Sequence, residues 1–217
     1  MTMGCPVHLT GKHRFTCYIE SMASAAGQLD LRGGHPVIDF VNTVAWRGDD
    51  ARRIDYLADY SDVVAWCRHT GVVDATEAEE LIGAVRSDQV AAQRAFGRAK
   101  QLREALHAVL TSGAPSALAA ITEAYVSALR HRELRPVGDG VAWVERENTV
   151  RGPVDRLTAE AVALITGIPL SRVKQCDDAA CGWLFLDSSH RRNRRWCSAA
   201  DCGNRDRARR HYERSRG

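Results

Sequence analysis

The chain has no run of eighteen apolar residues, which argues against a membrane-spanning helix, and its opening stretch, MTMGCPVHLTGKHRFTCYIESM, lacks the apolar centre of a secretory signal. A cytoplasmic protein with no membrane partner is therefore expected. Catalytic signatures are missing as well: there is no phosphate-binding glycine loop, no HExxH and no G-x-S-x-G. His35, His69, His107 and His131 are scattered singly, so no general base is marked and no enzyme is expected. Aromatic residues make up only 6% of the chain, and no internal repeat or low-complexity segment interrupts it. What remains is a globular composition. Of 217 residues, 45% are hydrophobic and 26% charged, enough for one large domain or a medium domain with a small one.

The net charge of +3 conceals an asymmetry. Residues 188–217 hold ten arginines against Asp201, Asp206 and Glu213, a net +7 that leaves −4 on residues 1–187. A mildly acidic body carries a strongly basic tail.

The seven cysteines are Cys5, Cys17, Cys67, Cys176, Cys181, Cys197 and Cys202, an odd number in a chain with no export signal, so a disulfide framework is a poor reading. The last four form two close pairs, Cys176-x4-Cys181 and Cys197-x4-Cys202, separated by fifteen residues. Such a layout brings four thiolates onto one tetrahedral Zn²⁺, and it suits zinc better than ferredoxin spacings suit an iron–sulfur cluster. Four cysteines close the tetrahedron, so one structural zinc per chain is expected rather than a catalytic one. Between the pairs, Trp183 to Leu186 reads as a strand closed by Asp187-Ser188-Ser189, and Arg191 to Trp196 returns to Cys197. Arg205 to Arg214 then suits a helix, giving the knuckle, hairpin, knuckle and helix order of a treble clef. His190 and His211 read as solvated or phosphate-bound rather than as ligands, and Cys67, beside Trp66 on an expected helix, as a buried apolar residue.

The stretch from Cys176 to Asp187, with Arg194-Arg195-Trp196-Cys197 and Cys202-Gly203-Asn204-Arg205, resembles the CGNR zinc finger, named for that last tetrapeptide. Such fingers stand behind an N-terminal ABATE domain in bacterial proteins described as stress-induced transcription regulators. Val37 to Val44 is similar to that domain's opening motif, and Asp55-Tyr56-Leu57 and Asp62 to Trp66 fit the segment after that motif. The resemblance covers about residues 29–214. It departs at Arg207, where lysine is common, and at Ala199, where methionine is. It implies a zinc-dependent, DNA-binding transcription regulator whose N-terminal domain senses a small molecule or mediates oligomerisation, for instance as a homodimer.

The body reads mostly as helices. Ser61 is placed to cap one that stops at Gly71, and Thr76 with Glu79 forms a capping box for the next. Ala95 to Leu110 recur at helical spacing until Gly113, Leu118 to Leu129 do so before Pro136, and Val154 to Ile165 end at Gly167 and Pro169. Arg135 to Val144 around Gly138-Asp139-Gly140 suggests a hairpin. The expected fold class is α+β: a mostly helical N-terminal domain with a small β-hairpin, followed by a C-terminal treble-clef-like zinc finger. Residues 1–28 are expected to be a leader, disordered or the product of a wrongly assigned start, with residues 1 to about 25 dispensable and Met22 the candidate true start. Residues 29–168 are then the ABATE-like domain, and residues 169–217 the finger.

Two features invite a functional reading. Asp39, Asn42 and Thr43 lie among Val37, Ile38, Phe40, Val41 and Val44, where buried polar groups need partners. Either they cap a helix and tie down a turn, or Asn42, Thr43 and Arg47 edge a small-molecule pocket. The arginines point to DNA as partner. Arg191, Arg192, Arg194 and Arg195 can track phosphates from the turn-rich segment, while Arg205, Arg207, Arg209 and Arg210 cover stripes of the last helix, with Arg205 alternatively bracing the zinc loops. Trp196 and Tyr212 are the only rings in the basic segment, which favours duplex binding over single-strand stacking. The alternative is a zinc-finger module for protein interaction or RNA binding.

Overall fold

Caps and breakers punctuate the chain into short helices, and the computed structural model describes them over residues 24–216. The elements are α1 (Pro36–Val41), β1 (Val44–Ala45), β2 (Ile54–Asp55), α2 (Tyr60–His69), α3 (Ala75–Ser87), α4 (Gln89–Ser112), α5 (Pro115–Leu129), β3 (Arg132–Val137), β4 (Gly140–Glu145), α6 (Gly152–Gly167), β5 (Val173–Gln175), β6 (Leu184–Leu186) and α7 (Cys202–Arg214). The strands form three antiparallel pairs, β1–β2, β3–β4 and β5–β6. Expected α+β architecture and observed elements agree.

The caps differ from the sequence reading in detail. Asp59, not Ser61, starts α2, because its carboxylate accepts from both Ser61 N and Asp62 N while Asp62 reaches back. Asp74, not Thr76, starts α3 by accepting from Glu77 N at 2.8 Å. Gly113, with φ +65°, ends α4 in the left-handed conformation that glycine adopts without strain. The β3–β4 hairpin starts earlier than expected, pairing Arg132 with Glu145 and Leu134 with Trp143 around Gly138-Asp139.

Helix α4 is the axis of the body. Ala92, Ala95, Phe96, Ala99, Leu102, Leu106, Val109 and Leu110 recur on its buried side, and α1, α2, α3, α5 and α6 all pack on it. Phe40 and Trp66 meet under it, ring centroids 5.2 Å apart. Cys67 is fully buried, and that burial pushes its thiol up to about 12. Arg103, 2% exposed, carries a charge through this core: it makes two bonds to Asp55, at 2.6 and 2.8 Å, and a third to Thr43 Oγ1.

Two expectations require correction. Of the expected leader, residues 1–23 lie outside the described residues, but residues 24–28 are docked: Ala25–Gln28 form a 3-10 turn on α2, Ala26 is fully buried, and Ser24 Oγ donates to Asp62 at 2.6 Å. In the finger, the expected hairpin between the cysteine pairs is replaced by one that encloses the first pair. Leu184–Leu186 pairs with Val173–Gln175, placing Cys176 and Cys181 on the loop that joins the two strands. Residues 187–196 return without a strand, because Asp187 organises them instead.

Candidate metal centre and nucleic-acid interface

Four elements deliver the four cysteines. Cys176 follows β5, Cys181 precedes the Gly182 turn into β6, Cys197 sits at the end of the return loop, and Cys202 opens α7. All four are buried, and their sulfurs lie within 4.8 Å of one another. The Cys181–Cys197 and Cys197–Cys202 sulfur separations are 3.7 and 3.5 Å. A tetrahedron with metal–sulfur bonds of about 2.3 Å has edges of about 3.8 Å, so the donor set and its size both fit one Zn²⁺. Left to themselves, thiols this close resist joint ionisation. Hydrogen bonds shared with Cys176 and Cys181, then burial, push Cys197 above its ordinary range, and burial pushes Cys202 up to about 12. A divalent cation at the centre reverses that preference.

The surrounding groups orient the sulfurs. Cys197 N donates to Cys176 Sγ at 3.4 Å and Arg205 Nη2 to Cys202 Sγ at 2.8 Å. Arg205 also bonds Asp178 and stacks 4.9 Å over Trp46. Gly203 lies beside the Trp196 ring, where an added Cβ would stand at an ordinary contact distance of 3.7 Å, and Asn204 donates to the Ala200 carbonyl. The CGNR tetrapeptide therefore builds the metal loop, and Arg205 is a brace.

Asp187, fully buried, is the pivot of the return loop. It accepts from Lys174 Nζ at 2.7 Å, from Ser189 N and Oγ, and from Arg194 N at 3.1 Å. The Lys174 ammonium and the Ser189 hydroxyl hold its carboxyl well below the usual carboxylate range. Its sequence signal was only that of a turn former.

The polar residues of the opening motif turn out to clasp the finger. Asn42, 1% exposed, donates to the Leu184 carbonyl at 2.9 Å and accepts from Leu184 N at 2.8 Å, a bidentate bond across 142 residues. Leu186 N donates to the Gly33 carbonyl at 2.7 Å, and Asp39 fixes that loop by accepting from Gly33 N. Gly48 lies so close to the Ala179 carbonyl that a Cβ would stand 1.8 Å from its oxygen. Leu29, Ala45, Trp46 and Tyr56 of the body share an apolar cluster with the four cysteines, Trp183, Phe185 and Trp196.

A model for the ABATE family, described as a putative stress-induced transcription regulator, matches residues 34–168. The chain belongs to the ABATE family. A CGNR zinc finger model matches residues 172–215 of this ABATE protein. No curated protein matches it significantly. No helix among the described residues is long and apolar enough to cross a membrane.

With the clasp in place, the side-chain polar atoms of the ABATE motif's Asn42 and Thr43 are buried and engaged within the protein. Thr43 Oγ1 donates to the Phe40 carbonyl and accepts from Arg103, and Arg47 forms an ion pair with Glu104 at 2.8 Å. The pocket edge expected at Asn42, Thr43 and Arg47 is corrected to a buried seam. Of the eight expected nucleic-acid contacts, Arg194 also turns inward, donating to the Trp196, Cys197 and Arg32 carbonyls and stacking 4.2 Å over Phe185. Arg191 and Arg192 face solvent with no ion pair among the described residues. Arg195 pairs with Asp177 yet remains 55% exposed, while Arg209 and Arg210 share Asp206 at 2.9 and 2.8 Å. Arg207 donates to Asn204 and is exposed. Sequence reasoning missed Trp46, held at φ +57° between Arg52 and Arg205, because no periodicity marks a ring wedged between two cations.

Proposed function

We propose that this ABATE protein binds duplex DNA through its finger, with α7 as the groove-entering element and the return loop on the phosphates. The observation that carries the reading is the state of α7: beyond Gly203 every residue except Asp206 is exposed, and no apolar face packs it onto the body. A polar helix without a packed face, studded with Arg207, Arg209, Arg210 and Arg214, gains most from a polyanion. The metal loop fixes its first turn, so Arg207 is the best-placed arginine for base edges. Arg191, Arg192 and Arg195 supply sequence-independent contacts, whereas Arg194 and Arg205 serve the finger's own architecture. The sensing role expected of the ABATE domain belongs at the seam, where Trp46, Tyr56, Trp183, Arg32 and Arg205 line a cavity of about 360 Å³ together with Cys181, Cys197 and Cys202, so that the zinc takes up its inner end.

Retention of genomic fragments by the zinc-loaded protein, competed with duplex DNA and with RNA of equal length, tests the reading. Duplex DNA should compete best. Preferential release by single-stranded RNA would favour the RNA-binding alternative, and no retention at all would favour a protein-interaction finger.

A further inference from the structure

The exposed apolar residues of this protein are not scattered. Of ten large hydrophobic side chains exposed among the described residues, six lie on α5, β3 and β4, which pack together: Leu118, Val126, Leu134, Val137, Val141 and Trp143. The hairpin's register puts Leu134 opposite Trp143 and Pro136 opposite Val141, so these four side chains share one face of a two-stranded ribbon. Val141 is 69% exposed, Leu134 57% and Trp143 45%. A two-stranded ribbon is marginal in water unless one face is packed, and this face has nothing against it among the described residues.

We infer that this face packs on the same face of a second copy of the chain about a two-fold axis. Area supports that occupant. Val137 alternates to the ribbon's other side; with roughly 250 Å² for an exposed Trp and about 150 to 180 Å² for Leu or Val, the other five side chains leave roughly 450 Å² of apolar surface open. A stable dimer buries about 800 Å² per partner, of which about 65% is apolar in homodimers, so the patch has the size of a homodimer's apolar centre. Charge supports it too. Around the face, Glu133 pairs with Arg135 and Arg146, and Arg156 with Glu145 and Glu77, three arginines against three glutamates, so no net field selects an oppositely charged partner and two copies meet without repulsion. The finger, by contrast, would repel its own copy. Pairing through the hairpins keeps two basic helices apart and unobstructed. Only this last consequence, two fingers for two half-sites, rests on the DNA-binding reading.

Sedimentation velocity of the full, zinc-loaded chain from 1 to 100 μM, without DNA, tests the inference. The expected result is a species of twice the 23.9 kDa chain mass. Val141→Asp and Leu134→Asp should each raise the dissociation constant at least a hundredfold, by burying an unpaired charge, while circular dichroism and zinc content stay unchanged. Trp143→Ala should weaken association tenfold or more, and serves if an aspartate variant fails to fold. A monomer throughout the range, or a dimer that all three substitutions leave intact, would overturn the inference. So would a monomer that pellets with phosphatidylcholine vesicles, which would assign the face to lipid. Because no DNA is present, a monomer that still binds duplex refutes the dimer alone, and a dimer that binds none refutes only the DNA reading.

Discussion

Asn42→Ala removes both polar atoms that clasp Leu184 without touching a cysteine or the helical core. Asn42 and Leu184 are each 1% exposed, so the substitution leaves one backbone N–H and one carbonyl buried without their partner. Each orphaned group costs about 1 to 3 kcal/mol, so the pair should cost about 2 to 6 kcal/mol, a large part of the ~5–15 kcal/mol that holds a typical domain. Urea titration in the presence of zinc measures the loss, and the rate of zinc transfer to a chromogenic chelator locates it. If the clasp steadies the finger, zinc transfer should speed by at least tenfold, since every ~1.4 kcal/mol felt at the site is a factor of ten. Exposed Asn193→Ala should change neither quantity. A loss below about 0.5 kcal/mol, the ordinary range for surface substitutions, together with an unchanged transfer rate, would refute the idea that the opening motif exists to hold the finger.

The same geometry sets three other outcomes. Chelation of the metal should unfold the finger and also lower the melting temperature of the helical body, because Leu29, Ala45 and Trp46 lose the cluster they share with the cysteines; calorimetry of apo and zinc-loaded protein checks this. Gly48→Ala should disrupt docking more than its size suggests, since the added Cβ meets the immovable Ala179 carbonyl, and faster proteolysis between residues 167 and 175 would report it. Burial opposes ionisation of Asp55 and Glu104, but Arg103 and Arg47 outweigh it and hold both carboxyls at about 2. Their folded values lie below the unfolded ones, so their stabilisation is complete above about pH 4.5 and is lost as pH falls towards 2. Melting curves of Asp55→Asn across that window should be flatter than wild type.

The sequence revealed those features that depend on local chemistry. Cysteine spacing alone marked the metal centre, Gly113 marked the end of α4, and helical periodicity marked α4 to α6. What it hid was set by contacts far along the chain. Asn42 and Leu184 are separated by 142 residues, and nothing at either position signals the other. The same holds for the arginines: Arg191 and Arg194 look alike in a basic run, yet only Arg194 stands where three carbonyls and the Phe185 ring converge. Strand pairing in the finger was misassigned because Trp183 to Leu186 can pair forwards or backwards on apolar pattern alone. The choice went to Val173–Gln175 because the return segment is committed to Asp187.

DNA binding by the outward arginines is the central claim, and the salt dependence of duplex affinity tests it most directly. Each phosphate contact contributes about −0.9 to the slope of log K against log salt, so loss of Arg191 or Arg192 should make the slope shallower by about one unit on any sequence. Arg207→Ala should cost about 1 to 3 kcal/mol on a preferred site and little elsewhere. Arg194→Ala and Arg205→Ala should instead lower zinc retention first. Duplex binding that is strong at low salt, steep in its decline and reduced by this pattern of variants is the predicted result. Salt-independent binding, or none to any duplex by zinc-loaded protein, would contradict it.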